Sequence, residues 1–352
     1  MKGRGSHELP PNRFSDQEFE PDPEYLEWLS QQGESDEPRT QVLNDHTRSV
    51  ITKNSSPDIH FDFSLNPYRG CEHGCSYCFA RPSHEYLGFS AGLDFETKIV
   101  VKREAPRLLK EELSKKSWQV ESLVLSGVTD PYQPIEKELE ITRGCLKVLR
   151  DFRQPVEVIT KNYLITRDID LLADLASVRA CRVRLSITSL DPALSRILEP
   201  RASAPERRLE AVRKLSAAGV PVGVNISPVI PGLNDHELPA LVKAASGAGA
   251  GWVHYIPLRL PGAVASVFVS WLVRHRPHSK GKVLRLIREL RGGKLNQSEF
   301  HSRFQGQGEV AERLRRLFEI SRKKQGLHSA GPELSGRHFE VPGHKQLSLF
   351  DD

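Results

Sequence analysis

The sequence predicts an α/β fold built on a parallel sheet. Between about Asp58 and Pro261, short apolar runs rich in β-branched residues alternate with longer amphipathic segments. This alternation is typical of parallel strands joined by right-handed helical crossovers. The 352 residues suit one barrel-sized domain with extensions at both ends.

Six apolar runs are the candidate strands, because Val, Ile, Thr and aromatic residues favour extended backbone. They cover residues 60–66, 121–127, 156–161, 183–189, 220–230 and 252–258. The clearest candidate helix covers residues 204–219, with Pro205 near its start, Leu209 and Val212 on one face and Gly219 at its end. The other candidate helices cover residues 105–116, 141–152, 168–177 and 235–249.

The two ends of the chain carry opposite charge. Residues 1–45 hold eleven acidic and four basic side chains, which predicts a largely irregular acidic extension over residues 1–57 before a barrel over 58–262. Residues 263–326 are predicted to be helical and basic, either as an ordinary solvated face or as a phosphate-binding surface. A flexible tail is predicted over residues 327–352.

The composition favours a soluble, cytoplasmic protein. No stretch approaches the length of a membrane span, and no N-terminal apolar segment has the pattern of a targeting signal. The odd count of five cysteines argues against a disulfide framework. Two of them, Cys145 and Cys181, are predicted to be buried core thiols with no chemical role.

The other three cysteines lie close together. Cys71, Cys75 and Cys78 form a C-x3-C-x2-C pattern within NPYRGCEHGCSYCFA, and no fourth cysteine is near. A [4Fe–4S] cluster has four irons, so three thiolates leave one iron open to another ligand. Structural zinc with His73 as fourth ligand is the alternative, although so short a loop is an awkward tetrahedral site.

Polar residues follow the predicted strands, where the active-site loops of parallel barrels lie. The turns are SGVTDPYQP, ITKN, SITSLD and SPVIPGLND, after the second to fifth strands. Ordinary turn chemistry explains any one of them. Together they bring hydroxyls, a lysine and carboxylates to one edge, a set suited to a zwitterionic nucleoside.

The cysteine pattern resembles the radical S-adenosylmethionine (SAM) superfamily. The resemblance implies a partial (β/α)6 barrel and a [4Fe–4S] cluster whose open iron takes the amino and carboxylate groups of SAM. Reductive cleavage of SAM then yields a 5′-deoxyadenosyl radical, a chemistry that belongs to the cofactor. An electron donor such as flavodoxin or ferredoxin is also implied.

The resemblance further implies contacts to SAM from the strand ends. Gly127, Thr129 and Asp130 occupy the place of a GGEP-like segment, with Asp130 as acceptor for the SAM amino group. Lys161 and Ser186 would hold the SAM carboxylate. The alternative for Lys161 is a side chain that extends beyond its strand into solvent.

Two more residues are candidates for the cofactor site. Tyr77, between two ligand cysteines, would lie against the adenine or pack over the cluster. Arg208 lies at a helix start, where a cation is unfavourable, which suggests an anionic partner. That partner is the SAM carboxylate, a substrate phosphate or Glu199, and Glu199 is favoured.

Residues 66–235 resemble the spore photoproduct lyase branch, through CEHGCSYC, VTD, ITK, RLSI and EPR followed by ERRLEAVRKLSAAGVPVGV. A closer match is an uncharacterised bacterial subgroup that shares NPYRGC and a HEYLG-like segment. The lyase branch repairs a thymine dimer lesion with a further cysteine as hydrogen donor, and this sequence has Gly127 there. The resemblance therefore implies another lesion, another donor such as Tyr132, or another reaction.

The last residues, QLSLFDD, resemble the QLxLF peptide by which bacterial DNA polymerases and repair proteins bind the replication sliding clamp. Leu349 and Phe350 would fill an apolar pocket while Gln346 bonds its rim and Leu347 completes the pattern. Coincidence is the alternative.

These features predict a radical SAM enzyme that acts on DNA. One alternative is radical SAM modification of RNA or protein. The chain has no second cysteine cluster and no recognisable RNA-binding module, which disfavours RNA. The other alternative is a non-catalytic iron–sulfur sensor that binds DNA, which would form no 5′-deoxyadenosine.

Overall fold

The computed structural model describes residues 4–15, 24 and 39–343. Its strands are β1 (Gln41–Asn44), β2 (Ile51–Lys53), β3 (Phe63–Leu65), β4 (Tyr68–Arg69), β5 (Lys98–Val101), β6 (Leu123–Leu125), β7 (Val156–Thr160), β8 (Cys181–Ser186), β9 (Val222–Val229) and β10 (Trp252–Pro257). Its helices are α1 (Asp94–Thr97), α2 (Ala105–Leu113), α3 (Glu136–Leu139), α4 (Ile141–Phe152), α5 (Ile169–Ser177), α6 (Pro192–Leu198), α7 (Pro205–Ala217), α8 (Leu238–Gly247), α9 (Val264–His275), α10 (Pro277–Leu290) and α11 (Gly308–Lys324). Turns of 3-10 helix cover Arg81–Leu87, Tyr163–Asp168 and Asp235–Glu237.

The main sheet has seven strands in the order β10-β9-β8-β7-β6-β3-β2. β3 and β6 to β10 pair in parallel, and β2 pairs antiparallel with β3. Helices connect the successive parallel strands from β6 onward, so the predicted α/β fold is confirmed. Among the described strands β2 and β10 are the two edges, as a partial barrel requires. None of the described helices is long and apolar enough to span a bilayer.

Helices cover one face of this sheet because their apolar residues recur at helical spacing. In α4, Ile141, Cys145, Leu149 and Phe152 are buried, which places one apolar stripe toward the strands. Alternate strand residues such as Val156 meet that stripe in the main core. Burying one such side chain contributes about 1.5–3 kcal/mol.

The N-terminal prediction needs correction. Residues 1–57 were expected to be largely irregular, but β2 is an edge strand of the main sheet. β1 pairs in parallel with β5, which also pairs with β4 in a second, three-stranded sheet. These strands are short and depend on partners far along the chain, so a local pattern does not reveal them.

The C-terminal prediction is half right. Residues 263–326 contain α9, α10 and α11 as expected, but the flexible tail does not begin at residue 327. The His328 carbonyl accepts from the Val253 amide at 3.1 Å, and Glu340 donates to the Phe152 carbonyl at 3.1 Å. Residues 327–343 therefore lie along the amino ends of the strands, where Phe339 packs on the core.

Replacing Gly223 with alanine should destabilise the protein. An added Cβ would lie 2.1 Å from the buried Trp252 ring, and the ring cannot move away because Gly331 lies close to it. We expect Gly223→Ala to lower the free energy of unfolding in urea by about 1–3 kcal/mol. The matched control is Gly281→Ala within α10, where nothing lies within 4 Å. It should raise stability by about 0.5–1 kcal/mol, and equal effects would contradict the packing.

Candidate functional site

Three thiols lie together in the loop that follows β4. Cys71 and Cys75 are buried, Cys78 is half-buried, and none forms a disulfide. Gly70 (φ +79°) and Gly74 (φ +63°) give this loop two left-handed residues, a conformation that glycine adopts without steric cost. An added Cβ at Gly74 would come within 2.6 Å of a buried carboxylate oxygen, so the loop and its support are in direct contact.

The environment of these thiols suits a metal group. Burial raises the pKa of all three thiols. Asp130 raises the pKa of Cys71 further, and Glu199 does the same for Cys75. Thiolates here need added positive charge, which bound iron supplies.

The donor set fits a [4Fe–4S] cluster better than a zinc ion. The remaining cysteines, Cys145 and Cys181, lie in the core as predicted, so three thiolates face four irons. His73 has Nδ1 3.3 Å from Asp130 and Nε2 3.2 Å from the Asn162 side-chain nitrogen. Within residues 4–15, 24 and 39–343, no three His, Cys, Asp or Glu side chains converge on an ion-sized point. Structural zinc needs four donors about 2.0–2.3 Å away.

A buried arginine supports the cysteine loop from behind. The Arg81 guanidinium is fully buried and donates to the Cys75 carbonyl from Nε at 3.0 Å and Nη2 at 2.8 Å. Its Nη1 donates to the Gly92 carbonyl at 2.7 Å. Glu96, also fully buried, accepts from Nη2 at 2.5 Å. Removing one partner of a buried ion pair typically costs about 3–5 kcal/mol, because the other charge is left uncompensated.

N-terminal residues complete this support. The backbone amides of Gly5 and Ser6 donate to the two oxygens of Glu96, at 3.0 and 2.7 Å. An added Cβ at Gly5 would lie 1.7 Å from the Gly74 carbonyl oxygen, so the two backbones are in direct contact. The first described residues of the chain therefore hold the cysteine loop, a role that their composition does not reveal.

Asp130, in the loop after β6, is occupied by protein donors. It accepts from the Thr160 hydroxyl at 2.6 Å and from the backbone amides of Lys161 and Tyr132 at 2.8 and 2.9 Å. Burial alone would raise the pKa of Asp130, but His73 and these donors hold it below its usual value. Asp130 therefore connects the ends of β6 and β7 to the cysteine loop. Its contact with the SAM amino group stays a prediction.

Thr129 and Gly127 lie beside Asp130. The Thr129 hydroxyl donates to the Gly70 carbonyl at 2.6 Å, which joins this loop to the cysteine loop. Gly127 has φ +131°, and an added Cβ would lie 3.6 Å from the Asn66 side-chain nitrogen. A cysteine at position 127 would fit this space but would strain the backbone.

The buried carboxylate of Glu199 brings several predicted site residues together. It accepts from the Thr188 hydroxyl at 2.6 Å and lies 3.2 Å from Lys161 Nζ. Tyr77 and Arg208 also donate to it. Burial alone would raise the pKa of Glu199, but Arg208 and Lys161 hold it well below the usual range. The sequence indicated Glu199 only as a partner for Arg208, so its central place is new.

Lys161 and Arg208 therefore differ in their access to a ligand. Lys161 Nζ also donates to the Ser227 carbonyl at 3.2 Å and lies 5.7 Å from the Tyr77 ring, so it extends inward and not into solvent. Arg208 is fully buried, and its other nitrogens donate to the Ser186 and Ser203 carbonyls at 3.0 and 2.6 Å. Its predicted pairing with Glu199 is confirmed, and each of its three nitrogens donates to a protein acceptor.

Tyr132 does not lie at this site. It is fully buried in the main core, and its hydroxyl donates to Asp168 at 3.1 Å. Asp168 in turn pairs with Arg143 at 2.7 Å and Arg167 at 2.8 Å, beside α4 and α5. The expectation that Tyr132 donates hydrogen is therefore wrong, because its phenol is enclosed between the sheet and the helices.

A cluster of charged residues lies on the face of the sheet opposite α4, and the sequence analysis did not predict it. Glu157 on β7 is buried, lies beside Arg182 of β8 in the parallel register and pairs with it at 2.7 Å. It also contacts Arg184, and His60 lies 3.5 Å away. Burial alone would raise the pKa of Glu157, but His60 and the two arginines lower it to about 2. Charged residues alternating with valine and leucine on both strands were the available signal.

The clamp-like peptide lies outside the described residues. Gln346, Leu347, Leu349 and Phe350 all follow residue 343, where the described part of the chain ends. Its function stays a prediction.

Comparisons with known proteins agree with this geometry. A family model described as the radical SAM superfamily matches residues 65–245. An uncharacterised protein of Mycobacterium tuberculosis is 37% identical over 232 residues, 65% of this chain and 68% of that protein. An uncharacterised protein of Methanocaldococcus jannaschii is 33% identical over 175 residues, 50% of this chain and 63% of that protein.

Solved structures of low sequence identity share the fold. A point mutant of spore photoproduct lyase superposes with a TM-score of 0.57 at 16% identity, over 86% of this chain and 91% of that one. The lyase complexed with dinucleoside spore photoproduct gives 0.55 at 17% identity, over 80% and 79%.

Replacing Glu96 with glutamine should weaken retention of the cluster. The variant keeps the side chain's shape but removes the charge paired with Arg81, so the support of the Cys75 carbonyl loosens. We expect a several-fold faster loss of iron and acid-labile sulfide after anaerobic reconstitution. The control, Glu111→Gln on the exposed side of α2, should behave like the unmodified protein. Equal cluster lifetimes in all three proteins would show that the ion pair does not hold the loop.

Proposed function

This chain belongs to the radical SAM superfamily, and from that membership we propose that it processes lesions in DNA. The family uses a [4Fe–4S] cluster and SAM. Three neighbouring thiols beside the carboxyl ends of the strands carry the proposal, together with cations on the C-terminal helices. The proposed setting is the cytoplasm, with flavodoxin or ferredoxin as electron donor.

The residues of the site have separate proposed roles. Cys71, Cys75 and Cys78 would hold the cluster, which when bound supplies the electron that cleaves SAM to a 5′-deoxyadenosyl radical. Lys161 places a cation in the adjoining space, where a SAM carboxylate would pair with it. Glu199 holds that lysine in position and accepts from the Tyr77 hydroxyl.

Surface charge supports a nucleic-acid substrate. Arg285 on α10 has 64% of its side chain exposed, and on α11 Arg313 has 61% and Arg315 has 64%. Each of them also lies beside a carboxylate, Glu289, Asp235 and Glu312 respectively. Exposed cations on these two helices would attract the phosphate backbone and release its counterions. The shared fold with a lyase solved in complex with a dinucleoside lesion favours DNA as that nucleic acid.

The site also sets a limit on the reaction. By the sequence resemblance, Gly127 stands where the lyase branch has its donor cysteine, and Tyr132 is enclosed in the core. We therefore propose a related lesion or a related lyase-like reaction, and not repair of spore photoproduct itself. RNA or protein modification is the second candidate, since the same radical chemistry serves many substrates. A DNA-binding iron–sulfur sensor is the third.

Damaged DNA should stimulate 5′-deoxyadenosine formation. The reconstituted, reduced protein with SAM should release several-fold more 5′-deoxyadenosine, measured by chromatography, with ultraviolet-irradiated duplex DNA than with intact duplex. Cys75→Ala should release none, because it removes a cluster ligand. Stimulation by RNA or by a protein fraction, and not by DNA, would favour the second candidate. No product under any condition would favour the sensor.

We further propose that the C-terminal peptide binds the replication sliding clamp. A labelled peptide covering residues 343–352 should bind a purified bacterial clamp in fluorescence anisotropy. Phe350→Ala should weaken binding at least about tenfold, since an aromatic anchor is lost from an apolar pocket. Ser348→Ala is the matched control and should bind like the parent. Equal binding by all three peptides, or by none, would contradict the proposal.

A further inference from the structure

Three arginines lie together where the two edges of the open sheet approach each other. Arg259 follows β10, Arg291 follows α10, and Arg303 precedes α11. The carboxylate that meets them is Asp58, in the segment that joins β2 to β3, and it lies 2.6 Å from Arg303 Nε. Side chains of this cluster therefore connect the β2–β3 edge to the end of β10.

Two of the three guanidinium groups have hydrogen-bond or ion-pair partners in the protein. Arg303 forms the ion pair with Asp58. Arg291 is 1% exposed and donates to the Pro257 and Leu258 carbonyls at 3.1 and 2.6 Å and to the Arg303 carbonyl at 2.7 Å. Arg291 therefore fixes the backbone on both sides of the cluster but brings no negative charge.

Arg259 differs from the other two arginines of the cluster. Its Nε is buried without a hydrogen-bond partner, and within the described part of the chain no hydrogen bond or ion pair reaches its guanidinium. Its guanidinium carbon lies 4.4 Å from the Phe304 ring centroid, a contact that leaves the N–H groups free. Arg81 and Arg208, by contrast, each meet a buried carboxylate.

The charges of the cluster do not balance. Within the described residues, Asp58 is the one carboxylate that forms an ion pair with this cluster, and it pairs with Arg303, so positive charge remains uncompensated beside Phe304. Burial, followed by the charge of Arg303, lowers the pKa of Arg259 to about 10, which still leaves it protonated at neutral pH. Arg259 is half-buried, and its Nε is a buried polar atom without a partner, which is a position that an anion beside the guanidinium would fill.

We propose that Arg259 binds a phosphate group of a nucleic-acid strand, with Phe300 receiving the adjoining base. A phosphate offers paired oxygens to the fork of a guanidinium. Phe300 is 54% exposed, and its ring lies 4.8 Å from the Arg303 guanidinium carbon, so a stacking surface adjoins the charge. The proposal deepens the proposed function and rests on it, because it needs a nucleic-acid substrate.

The position of Arg259 agrees with this role. It lies just after β10, at the carboxyl edge of the parallel sheet, where Lys161 follows β7. A strand bound at Arg259 would therefore lie on the side of the sheet that carries the candidate SAM contacts. The exposed aromatic ring favours a nucleotide over free phosphate, which offers no base to stack.

Binding of a nucleic-acid strand tests the site directly. The holoprotein should bind a fluorescein-labelled single-stranded DNA oligonucleotide in a salt-dependent way, and Arg259→Met should bind it several-fold more weakly. Loss of one phosphate contact should reduce the slope of log affinity against log salt by about 0.7. Arg107→Met, which removes an exposed arginine on α2, should leave the slope unchanged.

Thermal unfolding separates binding from a structural role. Without phosphate, Arg259→Met should unfold at the same temperature as the parent or higher, because an uncompensated charge is removed. Inorganic phosphate should stabilise the parent and not the variant. A variant that is less stable without phosphate, and equally responsive to it, would make Arg259 a structural partner of Phe304 and overturn the inference.

The outcomes also separate this site from the proposed function. If the parent and Arg259→Met bind the oligonucleotide equally, the site is wrong and the proposed function stands. If the parent binds no nucleic acid, the proposed function fails. Phosphate-dependent stabilisation through Arg259 would in that case assign a free phosphate ester to the site and overturn its nucleic-acid assignment.

Discussion

The candidate site depends on one buried ion pair, between Arg81 and Glu96, which holds the cysteine loop from behind. Arg81 donates two hydrogen bonds to the carbonyl of Cys75. The backbone of this candidate cluster ligand is therefore held by a side chain that does not itself bind iron. The amides of Gly5 and Ser6 donate to the two oxygens of Glu96. Because this pair is excluded from water, removing either charge would leave the other buried and uncompensated. The chain thereby holds the backbone of the cysteine loop at Cys75.

A second buried carboxylate, Glu199, organises the other side of the site. It gathers a phenol, a hydroxyl, a lysine and an arginine from four parts of the chain, and its negative charge keeps Lys161 directed inward. Arg208 lies behind it and compensates its charge. The Arg81–Glu96 pair thus supports the cysteine loop. The Arg208–Glu199 pair positions Lys161 beside that loop. Both pairs lie at the carboxyl edge of the sheet, where a parallel barrel places its active site.

Local chemistry made much of this predictable. α4 begins and ends where its periodicity and flanking residues indicated. The three cysteines that the sequence grouped by their spacing lie in one loop. Non-local relations were not predictable. The Tyr132 side chain points into the core, toward Asp168, and the sequence does not show on which side of the sheet it lies. Glu199 is central to the site only because residues from distant segments contact it. The unpaired state of Arg259 is likewise visible only once its neighbours are known.

Three thiolates holding a four-iron cluster, with one iron left for SAM, form the central claim. Electron–nuclear double resonance of the reduced holoprotein tests it most directly, with SAM that carries oxygen-17 in its carboxylate and nitrogen-15 in its amino group. We predict hyperfine coupling of both labels to the cluster, because both groups should bind the open iron. A four-iron signal that shows no coupling to either label would contradict the claim.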